Sequence, residues 1–275
     1  MKVAVLGLGI IGSAWAKNLQ DDGLEVRCWN RSKKNFPGFE PDAAKAVEGA
    51  DFVFIVVADP PAVEAVLNQI LPKLKKGQVI IQSSTISAKW SKQFAGQVQK
   101  TGADFLEAPF TGSKPAAEKR ETIFYLGGDS VLIEKARPVL ERIGKQLIHV
   151  GPLGSASSLK LAMNINIANV AQGLCEALSF ARQEGISDEM FWQCLQVNAS
   201  KSGTAEMKMP KLQQRDFSPQ FSVKHMGKDL RLALESAADL PLTQTRALAQ
   251  TYEEGIKRGW QEEDLIALIR LAEKK

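Results

Sequence analysis

The stretch MKVAVLGLGIIGSAWAKNL, Met1 to Leu19, decides how the chain is read. Val3 to Leu8 is a short apolar run of strand length, and it breaks at Gly7, Gly9 and Gly12. Ile11, Trp15 and Leu19 then recur at the spacing of one helix face. A strand, a G-x-G-x-x-G turn and an amphipathic helix, in that order, make a cradle for phosphate. The first glycine permits the tight bend, the second lets backbone approach a pyrophosphate, and the third lets helix pack on strand, while the helix N-terminus faces the anion. Gly7, Leu8, Gly9, Ile10, Ile11 and Gly12 are therefore the expected contacts of a dinucleotide.

The second strand, Glu25 to Trp29, runs into Asn30, Arg31 and Ser32. An Asp or Glu at that point usually meets a free ribose hydroxyl. Asn30 is neutral, whereas Arg31 can pair with a 2'-phosphate or stack on adenine, and Ser32 can donate to the same phosphate. NADPH is expected over NADH, and Lys33 and Lys34 add local positive charge.

Further strand-sized runs follow at residues 51–57, 78–82, 104–107, 123–126 and 146–150, alternating with helical stretches at 13–20, 61–74 and 87–99. That alternation predicts a mostly parallel sheet wrapped by helices. After GPLG, Gly151 to Gly154, no strand-like run appears, and apolar residues recur at helical spacing over 161–182, 188–197 and 229–238. The expected architecture is α/β: an N-terminal Rossmann-type dinucleotide-binding domain, 1–153, then an all-helical C-terminal domain for substrate and oligomerisation, 154–275, joined by a long helix. The segment NASKSGTAEMKMPKLQQRDFSPQF, Asn198 to Phe221, mixes Gly, Pro and charge and is expected to be loop-like.

Composition narrows the function. With 44% apolar and 24% charged residues in 275, the chain can bury ordinary cores. A net charge of +4 without a long basic run or interleaved aromatics argues against nucleic acid. Cys28, Cys175 and Cys194 are odd in number, lack CxxC spacing and have only His149 and His225 as companions, which argues against a metal centre and a disulfide framework. MKVAVLGL runs into glycines rather than a cleavage site, and no apolar run reaches the roughly eighteen residues of a membrane span, so no membrane association and a reducing, cytoplasmic compartment are expected.

One basic residue stands in an otherwise apolar helical stretch, GSASSLKLAMNINIANV, Gly154 to Val170. Lys160 and Asn164 are four apart and so lie about 40° from one another on a helix. The small residues Gly154 to Ser158 let a ligand approach closely. Lys160 can act as general acid toward a developing alkoxide, with Asn164 holding the amine or the substrate. Taken alone, the stretch fits a snorkelling lysine better, with its asparagines bonded across a helix interface.

The order of motifs reverses that balance. GLGIIG (Gly7 to Gly12), STI (Ser84 to Ile86), EAPFTGSKPAA (Glu107 to Ala117), GPLGSASSLKLAMN (Gly151 to Asn164) and GKDL (Gly227 to Leu230) together resemble the β-hydroxyacid dehydrogenase family over nearly the full length. That family includes 3-hydroxyisobutyrate dehydrogenases and the related glyoxylate and succinic semialdehyde reductases. By this resemblance Lys160 matches the catalytic lysine and Asn164 its assisting asparagine. Thr111, Gly112 and Ser113 match the loop that binds the substrate carboxylate, together with Lys160 and Asn164. Val57, Ala58, Ala62 and Thr85 match the cofactor's wall, and Lys228, followed by Asp229, the lysine that closes over it.

The resemblance implies NADPH-dependent reduction of a small aldehyde acid, glyoxylate or succinic semialdehyde, by a homodimer or homotetramer. An alternative is a dehydrogenase of the 3-hydroxyisobutyrate or tartronate semialdehyde type. An alternative of another class is a non-catalytic NADP-binding scaffold. Phe110 and Ser113 depart from the family's usual PVSGG loop, with Phe110 expected to narrow the pocket, and the chain between Asn30 and Ala50 is short, which predicts a small helix there. Met163 stands where 6-phosphogluconate dehydrogenases carry histidine, and Lys160 argues against imine reductases and chromatin-associated relatives.

Overall fold

A computed structural model describes residues 1–273, which divide into two compact units, 1–161 and 162–273. In the first unit the elements run β1 (Lys2–Leu6), α1 (Ile10–Asp21), β2 (Glu25–Trp29), α2 (Ala43–Ala46), β3 (Phe52–Ile55), α3 (Pro60–Ile70), β4 (Val79–Gln82) and α4 (Ala88–Gln99). They continue with β5 (Asp104–Glu107), β6 (Phe110–Thr111), α5 (Lys114–Glu118), β7 (Thr122–Gly127), α6 (Ser130–Leu140) and β8 (Gly144–Gly151).

Strands β2, β1, β3, β4 and β5 pair in that order, all parallel. β7 is antiparallel to β5 and β6, and β8 lies parallel to β7. The sequences VAVL, FVFI and VII are buried throughout, as a parallel sheet covered on both faces requires. Alternation along the strands sorts side chains into two cores. Val3, Val5, Phe52 and Phe54 join Trp15 and Leu19 of α1 and Val139 of α6 on one face. Ala4, Leu6, Val53 and Ile55 join Leu67 of α3 and Phe94 of α4 on the other.

Between β2 and β3 the chain adds an isolated parallel bridge of Phe39 to Cys28 at the sheet edge, and α2 is four residues long. The small helix expected between Asn30 and Ala50 is what forms. The order reverses direction between β1 and β3, and the crevice outside the carboxyl ends of such neighbouring strands is where open α/β sheets take ligands.

A 29-residue helix, α7 (Ser155–Gln183), starts in the first unit and continues into the second. The second unit adds α8 (Asp188–Val197), α9 (Gly203–Gln214), α10 (Val223–Ala237), α11 (Thr243–Lys257) and a 3-10 turn at Leu265–Leu271. Leu178, Met226, Leu230, Tyr252 and Leu268 form its core. Helix α9 corrects the expectation of a loop over Asn198 to Phe221. Ser202 caps it by accepting from Ala205 N–H at 3.1 Å, and Pro210 is carried inside it. Its inward face includes two lysines. Lys208 Nζ lies 2.8 Å from Asp264 Oδ1, both side chains almost fully buried, and Lys211 Nζ lies 2.5 Å from Asp216 Oδ2. Ion pairs with residues outside the helix therefore hold a segment whose local pattern reads as irregular.

Candidate active site

The turn after β1 has the shape its glycines imply. Gly7 has φ +118°, and a Cβ there would lie 2.3 Å from Val56 O. A Cβ on Gly12 would lie 1.9 Å from Gly7 O, whereas one on Gly9 would meet nothing within 4 Å. The first and third glycines are thus demanded by backbone packing, and the second faces open space where a ligand can approach. Gly9 stands at the cap position of α1 and supplies no side-chain acceptor, so an anion meets no competing cap at the first helical N–H groups. These residues fit a dinucleotide pyrophosphate.

Asn30 ties this turn to the end of β2. Its Oδ1 accepts from Leu8 N–H at 3.1 Å, and its Nδ2 donates to Ser32 O at 2.9 Å and Ser32 Oγ at 3.0 Å. Arg31 and Ser32 are exposed just beyond, Ile10 is exposed at the start of α1, and Ile11 is half-buried. Val57 and Thr85 follow β3 and β4. Ser84 Oγ accepts from Val57 N–H at 2.8 Å, and Gln82 Oε1 accepts from Ser84 N–H at 2.6 Å, so the two loops are fastened together. Asp59 caps α3 by accepting from Ala62 N–H at 2.9 Å. Val57, Ala62 and Thr85 are half-buried and Ala58 is exposed, a surface of small side chains at the strand ends.

Thr111, Gly112 and Ser113 join β6 to α5. Gly112 has φ +134°, and Ser113 occupies the cap position without spending its hydroxyl on the helix. Helix α1 holds the far end of this loop: Asn18 Nδ2 donates to Ala117 O at 2.9 Å, and Arg120 donates to Asn18 O at 3.2 Å and to Asp22 at 2.8 Å. The Arg120 hydrogen bond, foremost, keeps the Asp22 carboxyl below its ordinary pKa. Phe110, expected to narrow a pocket, packs its ring edge-on to Trp15 at 4.8 Å and near Phe124 at 6.3 Å, filling the core beside α1.

Lys160 and Asn164 lie one turn apart on α7, and both are buried, Lys160 to 8% exposure and Asn164 to 1%. Within the second unit Asn164 Nδ2 donates to Asp229 Oδ2 at 2.6 Å, and Lys228 Nζ lies 2.8 Å from Asp229 Oδ1. Asn164 Oδ1 is buried and has no donor among the described residues. Asn166 is exposed, and Asn169 donates to Ile165 O at 2.9 Å on its own helix.

Two partners escaped sequence reasoning. Asp229 was visible only as the neighbour of Lys228, and Glu107 only as the first letter of EAPFTG; it accepts hydrogen bonds from Gly154 and Ser157 at the start of α7. Among the described residues no group of three or more His, Cys, Asp or Glu could hold a metal ion, and no helix is long and apolar enough to cross a membrane.

Residues 2–151 match the model of the NAD binding domain of 6-phosphogluconate dehydrogenase, and residues 154–272 that of the NAD-binding domain of NADP-dependent 3-hydroxyisobutyrate dehydrogenase. The chain is 31% identical to 2-hydroxy-3-oxopropionate reductase of Escherichia coli (strain K12), covering 99% of this chain and 97% of the relative. It is 28% identical to the chloroplastic glyoxylate/succinic semialdehyde reductase 2 of Arabidopsis thaliana, covering 98% and 78%. A solved 3-hydroxyisobutyrate dehydrogenase of Mycobacterium tuberculosis, in complex with L-serine, superimposes with a TM-score of 0.88 at 25% identity, covering 98% of each chain. The open cradle at Gly9, the motif order and these full-length likenesses lead to one assignment: the chain belongs to the β-hydroxyacid dehydrogenase family of NAD(P)-binding oxidoreductases.

Proposed function

We propose that this protein is an NADPH-dependent reductase of small aldehyde acids, with glyoxylate and succinic semialdehyde the foremost candidates and tartronate and methylmalonate semialdehydes next. One observation carries the reading: a buried lysine, Lys160, stands one helical turn before a buried asparagine whose carbonyl oxygen has no donor among the described residues. Burying an unsatisfied polar atom costs free energy, and a ligand hydroxyl or amine would recover it.

NADPH, when bound, supplies the hydride. Gly7 through Gly12 and the start of α1 hold its pyrophosphate, Arg31 and Ser32 its 2'-phosphate, and Val57, Ala58, Ala62 and Thr85 line its path, with Lys228 closing over it. Asn30 serves by holding Leu8 and Ser32 in place. Thr111 Oγ, the Gly112 and Ser113 N–H groups and Ser113 Oγ anchor the substrate carboxylate, in a loop where the Ser113 hydroxyl is not spent on capping α5. The Lys160 ammonium protonates the carbonyl oxygen as it gains charge.

Residues 1–153 act as the nucleotide domain and 154–275 as the substrate and assembly domain. Exposed Phe180, Ile186, Met190 and Val197 on and between α7 and α8 fit a homodimer or homotetramer. Three unpaired thiols fit a reducing cytoplasm. The names of relatives that reduce glyoxylate, succinic semialdehyde or 2-hydroxy-3-oxopropionate support the substrate class.

The test is an NADPH-oxidation screen across the four aldehyde acids with wild type and Lys160→Ala. Wild type should turn over at least one of them. The variant should lose most of that rate while binding NADPH as before, and unchanged turnover would sink the assignment.

A further inference from the structure

Helix α7 begins without a cap of its own. Gly154, the residue before its first turn, has φ +102°, and a Cβ there would lie 2.9 Å from Lys92 Cε and 3.2 Å from Ala88 Cβ on α4. No ordinary capping side chain fits that position, yet the first turn of a helix leaves N–H groups that need acceptors. Pro152 O accepts from Ser155 N–H at 3.0 Å, and the acceptor for Gly154 comes from the end of β5, forty-seven positions earlier. Gly154 N–H donates to Glu107 Oε2 at 2.6 Å, and Ser157 Oγ donates to Glu107 Oε1 at 2.5 Å. Glu107 is fully buried, and Ser157 and Lys160 are nearly so.

The neighbouring strand makes room for this carboxylate. A Cβ on Gly127, at the end of β7, would lie 2.3 Å from Glu107 Oε2 and 3.1 Å from Ala156 Cβ. Gly127 pairs with Glu107 across the antiparallel step of the sheet, so any larger residue would push the carboxylate or α7 aside. Both carboxylate oxygens are thus spent on one helical turn, and Lys160 follows Ser157 three residues later on that helix. A bidentate grip of this kind fixes rotation about the helix axis as well as position along it.

We infer that Glu107 is a positioning residue: it caps α7 from the sheet and so sets the rotation and height at which Lys160 meets the substrate oxygen. The inference rests on Lys160 being the proton donor. Shifting a proton donor by about 1 Å can cost up to a hundredfold in rate.

The experiment is a double-mutant cycle with Glu107→Gln and Lys160→Ala, followed by NADPH oxidation with the best aldehyde acid and by NADPH fluorescence titration. Glu107→Gln keeps the side chain's shape but removes its charge and reverses the bond to Ser157, whose hydroxyl must then accept from the amide. Its kcat should fall roughly 10- to 100-fold with NADPH binding unchanged. In the Lys160→Ala background the same substitution should cost less than about twofold, because the group it positions is gone. Equal losses in both backgrounds would reduce Glu107 to a general structural part and overturn the inference while leaving the lysine assignment standing. Full activity of Lys160→Ala would overturn both. Ser157→Ala, which removes one grip and leaves Gly154 bonded, covers the case of a poorly folding Glu107→Gln: it should show the same background dependence at a smaller loss, and no loss of kcat would count against the inference.

Discussion

Asn164 donates its side-chain N–H to Asp229 Oδ2 at 2.6 Å, and that bond fixes which way its amide points. An ionised carboxylate only accepts, so the nitrogen must face Asp229 and the oxygen must face away. Asn164 Oδ1 is thereby presented as a buried acceptor with no donor among the described residues.

Asn164→Ala removes that acceptor and should lower kcat by about 10- to 100-fold, the range expected for a misheld reacting group. NADPH binding should stay within about twofold. Asn164→Asp would set a second carboxylate beside Asp229 at a site that is 1% and 2% exposed, where burial and like charge raise a carboxyl pKa against the opposing pull of Lys228 Nζ, 2.8 Å from Asp229 Oδ1. A carboxyl whose pKa is raised in the fold costs stability once pH passes its unfolded value of about 3.9. The melting temperature of this variant should therefore fall, relative to wild type, as pH rises through the range above that value. A difference from wild type that does not change with pH would exclude a buried like-charge pair.

Arg31 is the residue on which the proposed cofactor preference rests. It is exposed and forms no ion pair among the described residues, with Lys33 and Lys34 close in sequence. Arg31→Ala should weaken NADPH by about tenfold at low salt and by less at high salt, since an exposed pair is screened. NADH should be little affected. Titrating the two cofactors at two ionic strengths checks both halves, and equal losses for NADH and NADPH would remove the 2'-phosphate role.

The main frame was legible in the sequence for simple reasons. Runs such as FVFI are buried on both faces and declare themselves by apolar content, and α7 declares itself by length. What stayed hidden depends on partners far along the chain. Helix α9 buries Lys208 and Lys211, so its inward face looks polar until Asp264 and Asp216 are in place. Strand β6 is two residues long and exists by pairing with β7. Phe110 in EAPFTG packs on Trp15 and Phe124, an aromatic neighbourhood that no local pattern reveals. At the candidate site the glycine turn carries its own signature, while the hold of Asp229 on Asn164 spans sixty-five positions.

Gly112 is the backbone requirement of the loop proposed to hold the substrate carboxylate. Its φ of +134° is one that side-chain-bearing residues rarely adopt, and a Cβ would lie 3.1 Å from Ala116 Cβ. Gly112→Ala should strain the loop by about 1 to 3 kcal/mol and displace the Ser113 N–H. The expected signature is a KM for the aldehyde acid raised by about tenfold or more with NADPH affinity unchanged. Steady-state kinetics with each reactant varied in turn separates these, and a loss confined to NADPH would place the loop on the cofactor instead.

The pair Lys208 and Asp264 is a buried ion pair in the helical unit. Lys208 Nζ lies 2.8 and 2.9 Å from the two Asp264 oxygens, and Asp264 also accepts from Gln220 N–H at 2.8 Å and Phe221 N–H at 3.2 Å. Lys208→Met would leave a buried carboxylate without its cation and should cost about 3 to 5 kcal/mol in denaturant unfolding. Burial, foremost, lowers the Lys208 pKa from 10.5, with Asp264 opposing the shift. Between that lowered value and 10.5 the unfolded chain binds more protons than the folded one, so stability contributed by this site rises with pH across the window. The gap in unfolding free energy between wild type and Lys208→Met should therefore widen as pH is raised toward 10.5. A gap that narrows would mean that Asp264 outweighs burial and holds the amine's pKa up.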